Sequence, residues 1–155
     1  MSARPQIKRF VKEFRFLSNF YMPASVFFEV QRFPSSEHAY QAMKTFDINL
    51  RKQIAALPTP GQAKRFGSKI DVRPDWEEVK LEVMKSILQL KFQNPFLREL
   101  LLATGDAEFI EENVWGDVFW GTCKGEGLNH LGRLLEEVRE SLKKDEQAFF
   151  RIPVA

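Results

Sequence analysis

Ser35-Ser-Glu-His-Ala-Tyr-Gln-Ala-Met-Lys-Thr-Phe46 is the stretch on which the reading of this chain turns. Pro34 ends an extended run, and Ser35 or Ser36 is a ready helix cap, since a serine oxygen accepts a bond from a first-turn backbone N–H. On the helix that follows, Glu37, Gln41 and Lys44 stand at i, i+4 and i+7 and project from one face. That face carries a carboxylate, an amide and an amine. Tyr40 and Met43, with Ala39 and Phe46, form the apolar stripe expected to face the core. Glu37 also suits the positive end of the helix dipole. Taken alone, the polar face fits a solvated helix decorated by an acid and a lysine.

Working outward, the flanking segments read as a mainly helical α+β domain with a small β component. A first strand is expected around Ile7 to Val11 and a second over Val26 to Phe33, where β-branched and aromatic residues alternate. Between them Phe16 to Ser25 breaks periodicity, with Ser18-Asn19 and Pro23 as turn chemistry. After the central helix, Asn49 is a candidate cap for a short helix ended by Pro58. Thr59-Pro60 opens another that Gly67 closes. Asp75 and Glu78 have capping-box spacing ahead of the longest helix, in which Val79, Val83, Ile87 and Leu90 mark an apolar face to about Phe92. Asn94-Pro95 restarts a helix that Thr104-Gly105 ends, Ala107 to Glu111 reads as a short strand, and Leu131, Leu134, Leu135, Val138 and Leu142 line one side of a final helix.

Composition bounds the function. A chain of 155 residues with 44% hydrophobic and 28% charged residues reads as one soluble domain, with a core from about residue 12 to 142. A formal charge of +2 gives no bulk footprint for nucleic acid, although local basic clusters could hold phosphates. The single cysteine, Cys123, excludes an internal disulfide and fits a cytoplasmic location. No apolar run is long enough for a membrane span, and His38, His130 and Cys123 are too far apart in sequence for a zinc pattern. Of the fifteen phenylalanines, most are expected in the core.

The second informative stretch is Asn113 to Gly132, NVWGDVFWGTCKGEGLNHLG. Two Trp-Gly steps, Trp115-Gly116 and Trp120-Gly121, bracket Asp117, and Gly125 and Gly127 precede Asn129 at the entry to the last helix. Glycines allow close approach of backbone to a ligand, indoles offer flat faces for a base, and a helix start behind such a loop suits an anion. The pattern is neither a P-loop nor a dinucleotide fingerprint. A polar loop of this length points to a functional role rather than mere connection. His130 reads as a helix-start residue, Cys123 as an inert thiol, Trp76 as core, and Lys64 and Arg65 as a solvated face with phosphate contacts as the alternative.

FLSNFY, FPSSEHAYQAMKTF, ALPTPGQAKRFG, RPDWEEVKLEVM, LLATGDAEFIEEN, WGDVFWG and GEGLNHLGRLL occur in the order seen in the NADAR superfamily (NAD- and ADP-ribose-associated), with its YbiA-like N-glycosidases. The resemblance runs from about Lys12 to Leu142. It implies an α+β, mainly helical fold, no cofactor or metal, and cleavage of N-glycosidic bonds to a phosphorylated ribose. Two substrate classes go with it: ribosylamino-pyrimidine phosphates on the riboflavin pathway, and ADP-ribose attached to guanine in DNA or RNA. Carried over position by position, the resemblance marks Glu37, Asp117 and Lys44 as catalytic. It marks Asn19, His38, Gln41, Trp120, Gly121 and Asn129 as substrate-binding, and Phe20 is a further candidate for lining the base pocket, with core as its alternative. Glu126 stands where some members carry a lysine, and Lys124 lies two residues earlier. Glu37 is the first choice and Asp117 the second for the carboxylate that stabilises positive charge on the ribose. Lys44 either anchors charge or attacks the anomeric carbon as an amine. The rival reading is an ADP-ribose or nucleotide sensor without catalysis, which would keep Trp120 and the glycine loop but have no use for the acids.

Overall fold

The computed structural model describes residues 2–150. Six strands and six α-helices follow one another as β1 (Gln6–Lys8), β2 (Val26–Phe28), β3 (Gln31–Phe33), α1 (Ser36–Ala42), α2 (Ile48–Ala55), α3 (Pro60–Gly67), α4 (Trp76–Lys91), α5 (Pro95–Ala103), β4 (Glu108–Ile110), β5 (Glu112–Asn113), β6 (Thr122–Cys123) and α6 (His130–Phe150). A 3-10 helix over Lys12–Leu17 leads into the Ser18–Tyr21 turn. The strands form three two-stranded pieces: β1 with β4 and β5 with β6, both parallel, and β2 with β3, antiparallel. Helix dominates, as the sequence patterning requires.

The short α1 sits at the centre. It packs against α2, α3, α4 and the β2–β3 hairpin. Ala39, Ala42 and Met43 are buried; two alanines on the inner face let the neighbouring helices come close. Two other helix starts are well capped. Thr59 and Gln62 form a reciprocal capping box at the start of α3, with Pro60 in the first turn. Asn94 Oδ1 accepts from the N–H groups of Phe96 and Leu97 to start α5. Leu131, Leu134, Leu135 and Val138 bury one stripe of α6 against α4, α5 and β4.

Several local expectations are corrected. The run from Val26 to Phe33 is a hairpin, because Glu29 and Val30 both take left-handed backbone angles (φ 46° and 60°) and reverse the chain without a glycine or asparagine. The first strand stops at Lys8, since Arg9 and Lys12 also turn left-handed (φ 57° and 52°). Asp47, not Asn49, caps α2, accepting from the N–H groups of Asn49 and Leu50. Asp75 makes no capping bond; Arg73 Nε and Nη2 donate to its two oxygens at 2.6 and 2.8 Å instead. Phe46 is 60% exposed rather than core, and the Arg73 guanidinium lies 4.1 Å from its ring centroid. On α4 the deepest positions are Met84, Ile87, Leu88 and Lys91, with Val79, Val83 and Leu90 at the edge of the core. That helix is covered by α1, β2 and α6 from different sides, so its buried arc is wider than one stripe.

Candidate active site

Ser35 caps α1 as expected, its Oγ accepting from His38 N–H at 3.2 Å. The polar face of α1 is not solvated: Glu37 and Gln41 are both buried. Gln41 Nε2 donates to Glu37 Oε1 at 2.6 Å across one helical turn. Burial pushes the Glu37 carboxyl above the usual carboxylate range; the bond from Gln41 and the charges of Lys64 and Lys44 pull it back, and Asp117 adds to the rise. Lys44 follows the helix end, and its backbone carbonyl is held by Arg73 N–H at 2.7 Å. Its Nζ lies 5.7 Å from the Tyr40 ring centroid. Burial lowers the Lys44 amine, Glu37 opposes that, and Lys64 and Lys80 reinforce it.

The neighbouring loop Ser18–Tyr21 is fastened to this helix. The Asn19 carbonyl accepts from Glu37 N–H at 3.1 Å, and the buried Lys91 Nζ donates to the Ser18 carbonyl at 2.9 Å. Asn19 Nδ2 contacts Met84 Sδ at 3.4 Å. Asn19 Oδ1 and Gln41 Oε1 are buried with no hydrogen-bond partner among the described residues. Unpaired buried acceptors are rare and costly, and they mark places where a bound molecule or water completes the structure. Gly67 of α3 is packed so closely that a Cβ there would stand 2.0 Å from Gln41 Oε1.

The Trp-Gly loop closes the other side. Asp117 Oδ1 accepts from the N–H groups of Phe119 and Trp120 at 3.1 and 2.9 Å, so one carboxylate oxygen shapes the turn. Asn113 is the clamp that the sequence did not advertise: its Nδ2 donates to the carbonyls of Asp117 and Thr122, and its Oδ1 accepts from Asp117 N–H. Trp120 is a wall rather than an open platform. Its ring meets Tyr40, Phe119 and His130 edge-on, at centroid distances of 5.4, 4.9 and 6.4 Å. Burial raises the Tyr40 hydroxyl, Trp120 opposing. Gly121 is needed for close approach, since a Cβ would lie 2.0 Å from the Glu111 carbonyl oxygen, which is fixed by Thr122 N–H at 2.8 Å. Gly121→Ala is therefore expected to cost about 1–3 kcal/mol of stability through overpacking, read as a lowered midpoint in urea unfolding.

Not every residue marked in the sequence reaches the site. His38 is fully buried, its Nε2 2.9 Å from the Leu57 carbonyl and its Nδ1 2.7 Å from Ser35 Oγ. A carbonyl only accepts, so Nε2 carries the proton and Nδ1 accepts from the serine. Burial lowers the His38 pKa, opposed by that carbonyl, and the ring is a neutral tie between α1 and the end of α2. The Asn129 amide is also spent on backbone, with Oδ1 accepting from Glu111 N–H at 3.0 Å and Nδ2 donating to the Phe109 carbonyl at 2.8 Å.

Lys80 and Glu111 were not singled out from sequence as site residues, and Lys64 was read first as part of a solvated face. Trp115 is 63% exposed and Phe20 44% exposed, and Lys64 Nζ lies between them, 5.7 and 5.9 Å from the two ring centroids. Lys64 therefore faces the site rather than open solvent alone. Lys80 of α4 stands 4.0 Å from the Phe119 ring centroid and donates to Glu77 at 2.5 Å. Glu111, third on the face that begins with the buried Ala107 and Phe109, turns inward as strand alternation dictates. That alternation was the available signal for it. Glu37, Gln41, Lys44, Lys64, Lys80, Glu111 and Asp117 thus share one electrostatic neighbourhood walled by Tyr40 and Trp120.

The site is an acid–amide pair buried under a Trp-Gly loop in a helical α+β domain, and the NADAR domain profile matches residues 7–143. The chain belongs to the NADAR family. N-glycosidase YbiA of Escherichia coli (strain K12) is 42% identical over 113 residues, 70% of this chain and 70% of that protein. A riboflavin biosynthesis protein of Vibrio vulnificus (strain YJ016) is 42% identical over 133 residues, 83% of this chain but 36% of the relative, so the chain spans little more than a third of that protein. The solution structure of Escherichia coli YbiA superposes with a TM-score of 0.83 at 34% identity, covering 95% of this chain and 90% of that one. Among the described residues no helix is long and apolar enough to cross a membrane.

Proposed function

We propose that this NADAR-family N-glycosyl hydrolase cleaves the bond between the anomeric carbon of a phosphorylated ribose and a base nitrogen. The observation that carries the reading is the buried Glu37–Gln41 pair with the half-buried Lys44 amine beside it. A binding module gains little by desolvating an acid, whereas cleavage of a glycosidic bond uses a carboxylate at the anomeric carbon, with an amine nearby to hold phosphate or attack that carbon. Breaking the C1′–N bond builds positive charge on the ribose. The Glu37 carboxylate, oriented by Gln41, is placed to stabilise it. Lys64, Lys80 and Lys44 supply cations for phosphate, and the Tyr40–Trp120 wall excludes water from one side.

Lys44 has a role beyond anchoring. A lysine attacks carbon only as the free amine, which requires desolvation or neighbouring positive charge; both act on Lys44. In this reading its nitrogen bonds to C1′ as the base departs with the bonding electrons and a proton. The ribose ring opens to an imine, and water then releases the sugar phosphate and restores the amine.

Relatives named for riboflavin biosynthesis support a free ribosylamino-pyrimidine phosphate as the substrate. The exposed Trp115 and Phe20 beside Lys64 favour a second reading, a guanine bearing ADP-ribose within DNA or RNA, because an open aromatic mouth admits a base still attached to a chain. A paired turnover assay separates them. Release of ribose 5-phosphate from the pyrimidine substrate establishes the first, and release of ADP-ribose from a modified oligonucleotide establishes the second. Titration of ADP-ribose with heat but no turnover of either substrate returns the protein to the sensor class. Trp115→Ala is expected to raise KM about tenfold for the oligonucleotide with little change in kcat, the loss of one base–aromatic stack.

A further inference from the structure

Glu111 is a half-buried acid that the chemistry above leaves unused. It follows β4, and its main chain is locked: the N–H donates to Asn129 Oδ1 at 3.0 Å, and the carbonyl accepts from Thr122 N–H at 2.8 Å with Gly121 packed against it. Neither bond involves the carboxyl group. Glu111 Oε2 is buried and has no hydrogen-bond partner among the described residues. A rigid backbone that delivers an unpartnered oxygen into the interior is a poor way to build a core and a good way to hold a proton for something that binds there. The same two charged residues, Lys64 and Asp117, act on both Glu111 and Glu37, so the two acids lie in one electrostatic neighbourhood.

We propose that Glu111 is the general acid that protonates the departing base nitrogen, with Glu37 as the carboxylate beside the ribose. The proposal rests on the N-glycosidase reading above. As C1′–N breaks, the electron pair goes to nitrogen and the Glu111 proton follows it, which leaves Glu111 as a carboxylate facing Lys64. The water that releases the sugar yields a proton that restores the acid. The environments of the two acids divide the labour in this direction. Burial raises Glu37 as well, but its Oε1 accepts a bond from Gln41, and Lys64 and Lys44 draw it back towards its anion. Glu111 has no donor on its free oxygen; burial, then the charge of Asp117, pushes it up to about 7, with only Lys64 opposing. An acid in that range keeps a large protonated fraction at neutral pH and is still strong enough to give the proton up.

The test is the pH profile of kcat/KM for wild type, Glu111→Gln and Glu111→Asp, on whichever N-riboside the wild type hydrolyses. Thermal unfolding is followed in parallel. Wild type should lose activity as pH rises past about 7. Glu111→Gln should fall at least a hundredfold at pH 6 and show no such alkaline limb, while Glu111→Asp retains a limb. A Glu111→Gln protein that keeps activity within threefold, or keeps the limb, overturns the assignment. Should Glu111→Gln fail to fold, the Asp variant and the carboxyl carbon shift of Glu111 in wild type decide: a carboxyl that titrates in the ordinary glutamate range overturns it. A wild type inactive on both N-ribosides overturns the parent reading, a result distinct from an active wild type with an indifferent Glu111.

Discussion

Glu37→Gln is expected to lower kcat/KM by about a hundred- to a thousandfold, the loss seen when one preorganised charge is removed from a developing transition state. The substitution keeps shape and an oxygen for Gln41 Nε2, so geometry survives and only the charge goes. Stability should move the other way. The folded-state pKa of Glu37 is raised, so between the unfolded and folded values the native state holds the extra proton, and stability falls as pH rises across that window. Glutamine abolishes the penalty. The variant should therefore melt no lower than wild type at pH 8, and the gap between the two should narrow towards pH 4. Activity within tenfold of wild type would remove Glu37 from the chemistry. A large loss of activity with a lowered melting point would make it a structural acid instead.

Much of this architecture was legible because its signals are local. Ser35, Thr59-Pro60 and Asn94-Pro95 announce three helix starts that the fold uses, and the leucine spacing of α6 is its buried stripe. The hairpin at Glu29-Val30 was hidden because neither residue favours the left-handed backbone it adopts; the flanking strands impose it. Phe46 misled because one apolar residue past a helix end carries no face information. At the site, the resemblance pointed to Glu37, Gln41 and Lys44, but not to the burial of the first two, which comes from α3, α4 and the Trp-Gly loop arriving from elsewhere in the chain. The two tryptophans show the same limit. Trp120 and Trp115 sit in near-identical Trp-Gly steps, yet tertiary packing turns the first into wall and leaves the second open. The resemblance marked Asn129 as substrate-binding by its place in the motif; in the fold its amide bonds to the backbone of Glu111 and Phe109.

Lys44→Arg separates the two roles of the lysine and should have the largest effect of all. Arginine keeps the positive charge and can still hold phosphate, but it stays protonated and cannot attack carbon. If Lys44 acts only as an anchor, the variant retains most of its activity. If the amine forms the imine, turnover should drop by about a thousandfold or more, the scale of losing a catalytic nucleophile. Borohydride added during turnover would then fix the sugar phosphate to wild type and not to Lys44→Arg, as a mass increase on the peptide holding residue 44. The pH dependence carries the same information. Burial, aided by Lys64 and Lys80, lowers the Lys44 pKa, so activity that needs the free amine should rise with pH through that lowered value. Stability follows the same sign: the unfolded chain binds the extra proton between the folded and unfolded pKa values, and the native state gains as pH rises there. A Lys44→Arg enzyme with near-wild-type turnover and no borohydride adduct on wild type would leave Lys44 as an anchor, and the hydrolysis would then run through water activated beside Glu37.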